Sequence, residues 1–220
     1  MLNILFLVAH ADDEALGPGG LIKKLSKNKA NIKLVVISDG KITVRNKFVD
    51  NSKHLMNSTK ILGIKDIDLL GYKDQMFETY PISKIANSLI NKGFNPDLIV
   101  THSASELNKD HRIALEVAKI IARPHKKKCS IISFDIPNNS FNHTKNFKPN
   151  FFVNISKEIK DKISAFKKYK NELQKYPHPY SEGSLELIAK YYGFLSGYKY
   201  AEAYEIVKLY EDHLSFIKKN

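Results

Sequence analysis

Short apolar runs alternate with amphipathic stretches through the first 135 residues of the chain. Runs of mostly apolar residues predict buried strands at 3–9, 32–38, 67–70, 98–100 and 130–134. Between them, apolar residues recur at helical spacing and predict helices over 14–25, 51–62, 82–91 and 110–122. Strands that alternate with helices favour a mostly parallel sheet covered on both faces. The pattern therefore predicts an α/β fold, a Rossmann-like three-layer sandwich.

The pattern changes after residue 135. A strand is predicted at 151–155, followed by a long helix that begins after an N-cap at Ser156 and reaches about residue 173. The segment 176–180 breaks the pattern, and two further helices are predicted at 184–192 and 201–209. We predict one domain over 1–220, in which 1–135 form the α/β core and helices in 136–220 complete it.

The charge of the chain is the most conspicuous feature of its composition. The 220 residues include 35 Lys and Arg against 23 Asp and Glu, which gives a net charge of +12. The basic residues are spread along the chain, whereas a nucleic-acid footprint clusters on one face or element. We therefore interpret most of the excess as compositional background. One functional use stays open: a positive field that gathers a phosphorylated or nucleotide-linked sugar.

Cysteine content and hydropathy limit the class of protein. The single cysteine, Cys129, excludes an internal disulfide and a multi-cysteine zinc site. No apolar run reaches the roughly 18 residues that a membrane-spanning helix requires. The apolar start lacks the basic region and cleavage site of a secretory signal, so we expect a cytoplasmic protein.

The candidate chemistry lies where predicted strands end, which is where parallel sheets bind ligands. His10, Asp12 and Asp13 follow the first strand, and His111 follows the fourth. Zinc accepts imidazole nitrogen and carboxylate oxygen, and a catalytic zinc site has three protein ligands and one open position. We expect His10, one of the two aspartates and His111 to form such a site. Two ordinary loop histidines are the simpler explanation, but two His-Asp clusters at separate strand ends favour the metal.

Two motifs resemble those of the PIG-L/LmbE-type zinc-dependent N-deacetylases, which act on N-acetylglucosamine-containing molecules. His10-Ala-Asp-Asp-Glu14 is similar to the family's His-Pro-Asp-Asp-Glu, and Leu107-Asn-Lys-Asp-His-Arg112 is similar to its downstream ligand element. The resemblance implies that His10, Asp13 and His111 bind zinc and that Asp12 is the general base toward a zinc-activated water. It implies a hydrolase that removes acetyl from an N-acetylated amino sugar or sugar conjugate.

The chain departs from the family pattern at two positions. Ala11 replaces the usual proline, from which we expect a looser loop with the same ligands. Asn108 stands where many members have a histidine; its amide can donate a hydrogen bond to an oxyanion but cannot carry a proton. We count Asn108 among the catalytic residues, together with Asp110, whose carboxylate is expected to orient a metal ligand.

The resemblance also implies three substrate-binding residues. Arg45 follows the second strand, and its guanidinium could hold sugar hydroxyls or a phosphate. Asp74 follows the third strand and matches a family aspartate that binds sugar hydroxyls. His178 lies in a His-Pro element and could supply the proton donor that Asn108 cannot. A solvated arginine, a turn aspartate and a loop histidine without a role are the alternatives.

Other functions stay open at this point. Gly17-Pro-Gly-Gly20 invites a dinucleotide-binding oxidoreductase, but the carboxylates of Asp12 and Asp13 would repel a pyrophosphate. A nucleic-acid-binding module is motivated by charge alone, so we expect no nucleic-acid partner. Nitrogen and oxygen ligands do not select zinc alone, so Fe²⁺ or another divalent ion stays open. Neither the N-acetylated substrate nor the number of copies in a homo-oligomer follows from the sequence.

Overall fold

The computed structural model describes residues 2–44, 47–124, 127–137 and 146–213. Its strands, in chain order, are β1 (Asn3–Val8), β2 (Asn31–Ser38), β3 (Lys41–Val44), β4 (Lys47–Asp50), β5 (Asp66–Tyr72), β6 (Leu98–His102), β7 (Ser130–Phe134), β8 (Phe151–Asn154) and β9 (Ala201–Lys208). The helices are α1 (Asp13–Leu16), α2 (Gly19–Lys27), α3 (Ser52–Leu62), α4 (Ile82–Ile90), α5 (Lys109–Ile121), α6 (Ile159–Phe166) and α7 (Glu182–Ser196). Two short 3₁₀ turns cover Phe77–Thr79 and Glu211–His213.

Seven strands form one sheet in the order β5-β2-β1-β6-β7-β9-β8. The first five of these are parallel, and β9 runs antiparallel to both β7 and β8. The predicted α/β architecture with a mostly parallel sheet is therefore confirmed. The parallel strands all end at one edge, and β1 and β6 are neighbours, so the loops after these two strands meet there.

The two faces of the sheet bury separate apolar clusters. Ile4, Phe6 and Val8 of β1 pack with residues of α1, α2, α3, α6 and α7. The alternate β1 residues Leu5 and Leu7 pack with residues of α4 and α5 on the other face. This alternation along one strand makes the three layers and explains why β1 reads as a continuous apolar run. Among the described residues, no helix has the length and apolar character needed to cross a membrane.

The predicted helix over 14–25 is wrong as one element, because the chain breaks between α1 and α2. Pro18 cannot donate a backbone hydrogen bond, and its ring obstructs the preceding turn of a continuous helix. Gly17 marks the same break, and a Cβ added there would lie 2.4 Å from the ring of Phe134. The break directs α1 toward the strand ends while α2 packs along the sheet.

The strand predicted at 151–155 is confirmed as β8, whereas the helix predicted over 201–209 is wrong, because β9 joins the sheet there. Ala201–Lys208 form β9, although Ala and Glu favour a helix, because β9 pairs with a strand on each side. Glu202 is buried there and accepts the backbone N–H groups of Gly20 and Leu21 at 2.7 and 2.8 Å. Tertiary pairing therefore outweighs local helix propensity.

The long helix predicted from Ser156 is also shorter than expected. α6 begins at Ile159, and Ser156 instead exchanges hydrogen bonds with the backbone of Tyr200. The helix ends at Phe166, and the turn that follows buries Tyr169 in the apolar cluster on the same face of the sheet. The predicted helix over 184–192 is confirmed within α7, whereas the β3–β4 hairpin was not predicted.

Candidate active site

Three buried side chains meet where β1 and β6 end. His10 follows β1, Asp13 opens α1, and His111 lies in the first turn of α5. His10 Nδ1 lies 3.2 Å from His111 Nε2. Asp13 Oδ1 lies 3.5 Å from His111 Nε2, and Asp13 Oδ2 lies 3.6 Å from His10 Nδ1. The fold therefore brings together the three residues predicted to bind a metal.

The outward-facing nitrogens of both imidazoles are already engaged. His10 Nε2 lies 3.1 Å from Asp110 Oδ2, and His111 Nδ1 lies 3.0 Å from Glu106 Oε2. If each of these nitrogens donates its proton to the carboxylate, the lone pairs of His10 Nδ1 and His111 Nε2 face each other. Two lone pairs and a carboxylate that are buried together repel one another unless a cation lies between them. This arrangement fits a divalent metal ion.

Two other groupings of possible ligands surround this centre. His102, Glu106 and His111 form one, and His10, Asp74 and Asp110 form the other. In the first group Glu106 Oε2 contacts His111 Nδ1, and in the second Asp110 Oδ2 contacts His10 Nε2. Both nitrogens face away from the centre. His102 Nε2 accepts the backbone N–H of Ala9, and its ring stacks on that of His111 at 4.0 Å. The outer groups thus orient the central ligands, and His102 lies behind them.

Burial and neighbouring charged groups shift the pKa values of all three central residues. Burial acts to lower the pKa of His10, but the hydrogen bond to Asp110 and the charges of Asp13 and Asp74 outweigh it and raise that pKa to about 9. Burial also opposes ionisation of Asp13, yet the neighbouring imidazoles, led by that of His111, hold its pKa well below the usual range. The pKa of His111 itself is lowered by burial and by the nearby His102 ring.

Asp12 has a backbone conformation that L-residues rarely adopt, with φ 134° and ψ −28°. Its N–H donates to Glu14 Oε2 at 3.1 Å, and its carbonyl accepts the N–H groups of Ala15 and Leu16. Loss of solvation and the adjacent charge of Asp13 raise the pKa of the Asp12 carboxyl well above its ordinary value. Strain at a single residue beside a reactive centre is typical of functional sites.

An open cleft lies over the centre. His10, Asp12, Asp13 and His111 form its floor with the predicted residues Asp74 and Asn108, and the remaining described lining residues are Ala11, Gly40, Ile42, Asn51, Gln75, Glu172 and Tyr180. Asn108 is the N-cap of α5, and its Oδ1 accepts the N–H of Asp110 at 2.9 Å. Because the oxygen of the amide is used in this way, its NH₂ group keeps free donors for a ligand.

A known protein family matches the part of the chain that forms this site. A protein-family model described as "PIG-L: GlcNAc-PI de-N-acetylase" matches residues 5–122. This match runs from β1 to the residue after α5 and covers both strand ends that form the site. The chain belongs to the PIG-L family.

Relatives with named enzymatic activities align with nearly all of this PIG-L chain. The diacetylchitobiose deacetylase of Thermococcus kodakarensis is 27% identical over 93% of this chain and 83% of its own length. The solved N,N'-diacetylchitobiose deacetylase of Pyrococcus horikoshii has a TM-score of 0.72 and 23% identity, covering 96% of this chain and 88% of its own. GalB of Pseudomonas putida KT2440, a 4-carboxy-2-hydroxymuconate hydratase, has a TM-score of 0.71 and 16% identity, covering 96% of this chain and 98% of its own.

The predicted substrate-binding residues have different placements in this PIG-L structure. Asp74 lines the cleft, and its Oδ1 lies 3.6 Å from His10 Nε2. Arg45 lies outside the described residues. His178 is not among the residues that line the cleft, and its Nδ1 accepts the N–H of Tyr180 at 3.0 Å. Tyr180, two residues further on, reaches the cleft instead.

Sequence reasoning missed the residues that support the motif residues from other elements. Glu14 was part of the recognised motif, but its partners Ser58 and Tyr169 carry no local signal. Glu106 lies five residues before His111, a spacing that could have identified it as the partner of this imidazole. Glu172 lies in the segment that was predicted to be helical, so its approach to the cleft was not foreseen.

Proposed function

We propose that this PIG-L protein is a zinc-dependent hydrolase that removes the acetyl group from an N-acetylated amino sugar or sugar conjugate. The observation that carries this proposal is the convergence of His10, Asp13 and His111, whose ligand atoms lie within 4.8 Å of one another beneath an open cleft. The strained Asp12 lies beside them as a separate carboxylate. The deacetylase activities of the Thermococcus and Pyrococcus relatives support the same substrate class.

The donor set suits zinc, which binds imidazole nitrogen and carboxylate oxygen in tetrahedral sites with one open position. His10 would offer Nδ1, His111 would offer Nε2, and Asp13 would offer Oδ1, since its Oδ2 accepts the N–H of His10 at 2.8 Å. When bound, zinc would supply Lewis-acid chemistry, lowering the pKa of a water toward about 7 and polarising the acetyl carbonyl. The same atoms would also accept Fe²⁺.

The protein side chains would then move the protons. Asp12 is not committed to the metal, so it can take a proton from the water as the water oxygen bonds to the acetyl carbon. The NH₂ group of Asn108 can donate to the developing oxyanion, a role that needs a donor but no transferable proton. As the C–N bond breaks, Asp12 returns its proton to the leaving nitrogen, and the products are acetate and a free amine.

The fold alone does not select this reaction, because the hydratase GalB has a similar architecture. The metal ligands and the base must therefore be tested directly. The dinucleotide-binding alternative is not favoured, since Asp12 and Asp13 occupy the turn after β1 where a pyrophosphate would bind.

The test combines metal analysis with acetate release. Purified protein should contain about one zinc per chain and release acetate from N-acetylglucosamine or diacetylchitobiose. His10→Ala and His111→Ala should lose the metal, whereas Asp12→Asn should keep the metal and lose most of the acetate release. Asp66→Asn, an exposed aspartate at the far end of β5, is the matched control. Metal-loaded wild type that releases no acetate, or Asp12→Asn with the wild-type rate, would contradict the proposal.

A further inference from the structure

Two carboxylate oxygens in the cleft lack hydrogen-bond donors. Glu172 lies in the segment between α6 and α7, and its Oε1 is buried without a hydrogen-bond partner among the described residues. Asp74 Oδ1 also accepts no hydrogen bond from the described residues, although it lies 3.6 Å from His10 Nε2, and its side chain is only 8% exposed. Both residues line the cleft. A desolvated carboxylate oxygen without a donor is unfavourable, so a ligand that brings donors to these two oxygens would bind favourably.

The charge of the cleft is opposite to that of the whole protein. Asp12, Asp13, Asp74 and Glu172 line it, and no described lysine or arginine does. A divalent cation at the metal site would balance two of these four charges. The cleft would then stay negative. The net charge of +12 therefore does not describe the surface that a substrate meets.

We infer that Glu172, with Asp74, forms a subsite for an ammonium group of the substrate. This inference rests on the proposed function and deepens it: the substrate is an amino-sugar oligomer or conjugate that carries a free amine beside its N-acetylated unit. An ammonium group offers up to three donors and a positive charge, which matches both the unpartnered oxygens and the negative lining. Phosphorylated and nucleotide-linked sugars, left open by the sequence, are disfavoured by the same lining.

Tyr180 completes the subsite on its apolar side. Its ring packs edge-on against Phe166 at 6.0 Å, which fixes it beside the cleft. An aromatic ring in a fixed position can cover the apolar face of a sugar while its hydroxyl meets a polar group. The subsite therefore combines one flat surface with two carboxylates, as expected for a pyranose ring that carries an amine.

Binding of two disaccharides that cannot be hydrolysed tests the inference. The glucosamine disaccharide with no acetyl groups and cellobiose share ring and linkage and differ at C2, where an amine replaces a hydroxyl. We expect calorimetry on the metal-loaded wild type, at a pH that protonates the amine, to show about tenfold tighter binding of the amine. This preference should shrink as salt is added. Equal affinities would overturn the inference.

Variants assign the preference to Glu172. Glu172→Gln keeps the shape of the side chain and should bring the ratio of the two affinities, glucosamine disaccharide over cellobiose, close to one. Glu182→Gln, an exposed residue paired with Lys167, is the matched control and should keep it. A preference that is unchanged in Glu172→Gln would overturn the assignment.

Acetate release separates this inference from the proposed function. If diacetylchitobiose is hydrolysed but the two disaccharides bind equally, the function stands and the subsite is wrong. If no N-acetylated sugar is hydrolysed while the amine still binds more tightly through Glu172, the reaction is wrong and the subsite stands. Tighter binding of glucose 6-phosphate than of the glucosamine disaccharide would contradict the subsite directly.

Discussion

The hydroxyl of Tyr169 donates a 2.7 Å hydrogen bond to Glu14 Oε1, although 155 residues separate the two along the chain. Ser58 of α3 donates to the same oxygen at 2.6 Å, while the other oxygen of Glu14 accepts the N–H of Asp12 at 3.1 Å. Two distant elements, α3 and the turn after α6, therefore hold the backbone of Asp12 in its unusual conformation through Glu14. This arrangement explains how strain can persist beside the reactive centre.

Removal of the Tyr169 hydroxyl should weaken this support. In Tyr169→Phe, Glu14 loses one buried donor, which should lower the free energy of unfolding by about 1–2 kcal/mol. The Asp12 backbone should relax, so kcat for acetate release should fall while the zinc content stays at the wild-type level. Urea denaturation and steady-state kinetics measure the two effects. Tyr200→Phe is the control, since its hydroxyl bonds Glu186 at the surface. A stability loss with unchanged kcat would show that Asp12 does not depend on Tyr169.

The contact between Asp110 and His10 predicts a metal-affinity effect. Asp110 Oδ2 lies 3.1 Å from His10 Nε2, and the same carboxylate accepts the N–H groups of Gln75 and Phe77. Asp110→Asn should therefore lower zinc affinity about 10- to 100-fold, because the imidazole loses the group that orients it. Competition with a chromogenic chelator measures this without any substrate. His178→Ala should leave the affinity unchanged, and an unchanged affinity in Asp110→Asn would contradict the positioning role.

Local sequence patterns were sufficient to predict the buried parallel strands and the site residues at their ends. The strands on both sides of the site are apolar runs, and parallel strands place their ends at one edge, so the meeting of His10, Asp13 and His111 could be predicted. The contact of Tyr169 with Glu14 could not, because it depends on the packing of elements that are distant along the chain. The helix predicted in place of β9 was wrong for the same reason. Ala201 and Glu202 favour a helix locally, but pairing with two neighbouring strands makes this segment a strand.

Tyr180 and His178 make opposite predictions for catalysis. Tyr180 lines the cleft, whereas the His178 ring accepts a backbone N–H and does not line it. We expect Tyr180→Phe to lower kcat/KM up to about tenfold, as for loss of one neutral hydrogen bond to the substrate. His178→Ala should change it less than about twofold, unless loss of the ring displaces Tyr180. The same steady-state assay serves for both, and a larger effect of His178→Ala would restore the role that the sequence suggested.

The buried pair of Lys162 and Glu202 predicts a large stability effect. The two charges lie 2.6 Å apart, and Glu202 also accepts two N–H groups of α2 and the hydroxyl of Tyr204. Glu202→Ala should cost about 3–5 kcal/mol, because it leaves Lys162 buried without its counter-charge. Adding Lys162→Met should recover part of this loss. Glu182→Ala, from an exposed pair, should cost less than about 1 kcal/mol. Urea denaturation of the four proteins, wild type included, gives the comparison.

Cys129 predicts how stability depends on alkaline pH. The thiol is buried at the start of β7, and burial raises its pKa from the ordinary 9.0 to about 12. Between these values the unfolded chain loses the thiol proton and the folded chain keeps it. The contribution of this group is therefore present below pH 9 and is lost as pH rises toward 12, by about 1.4 kcal/mol per unit.

Comparison of wild type with Cys129→Ala isolates this contribution, because the other titrating groups are common to both. The free energy of unfolding of the wild type should fall more steeply between pH 9 and 11 than that of the variant. The same burial should make the thiol of the folded protein react slowly with a disulfide reagent at pH 8, and fully only in denaturant. Parallel pH slopes, or rapid reaction of the folded protein, would mean that solvent reaches the thiol and that its pKa is near the ordinary value.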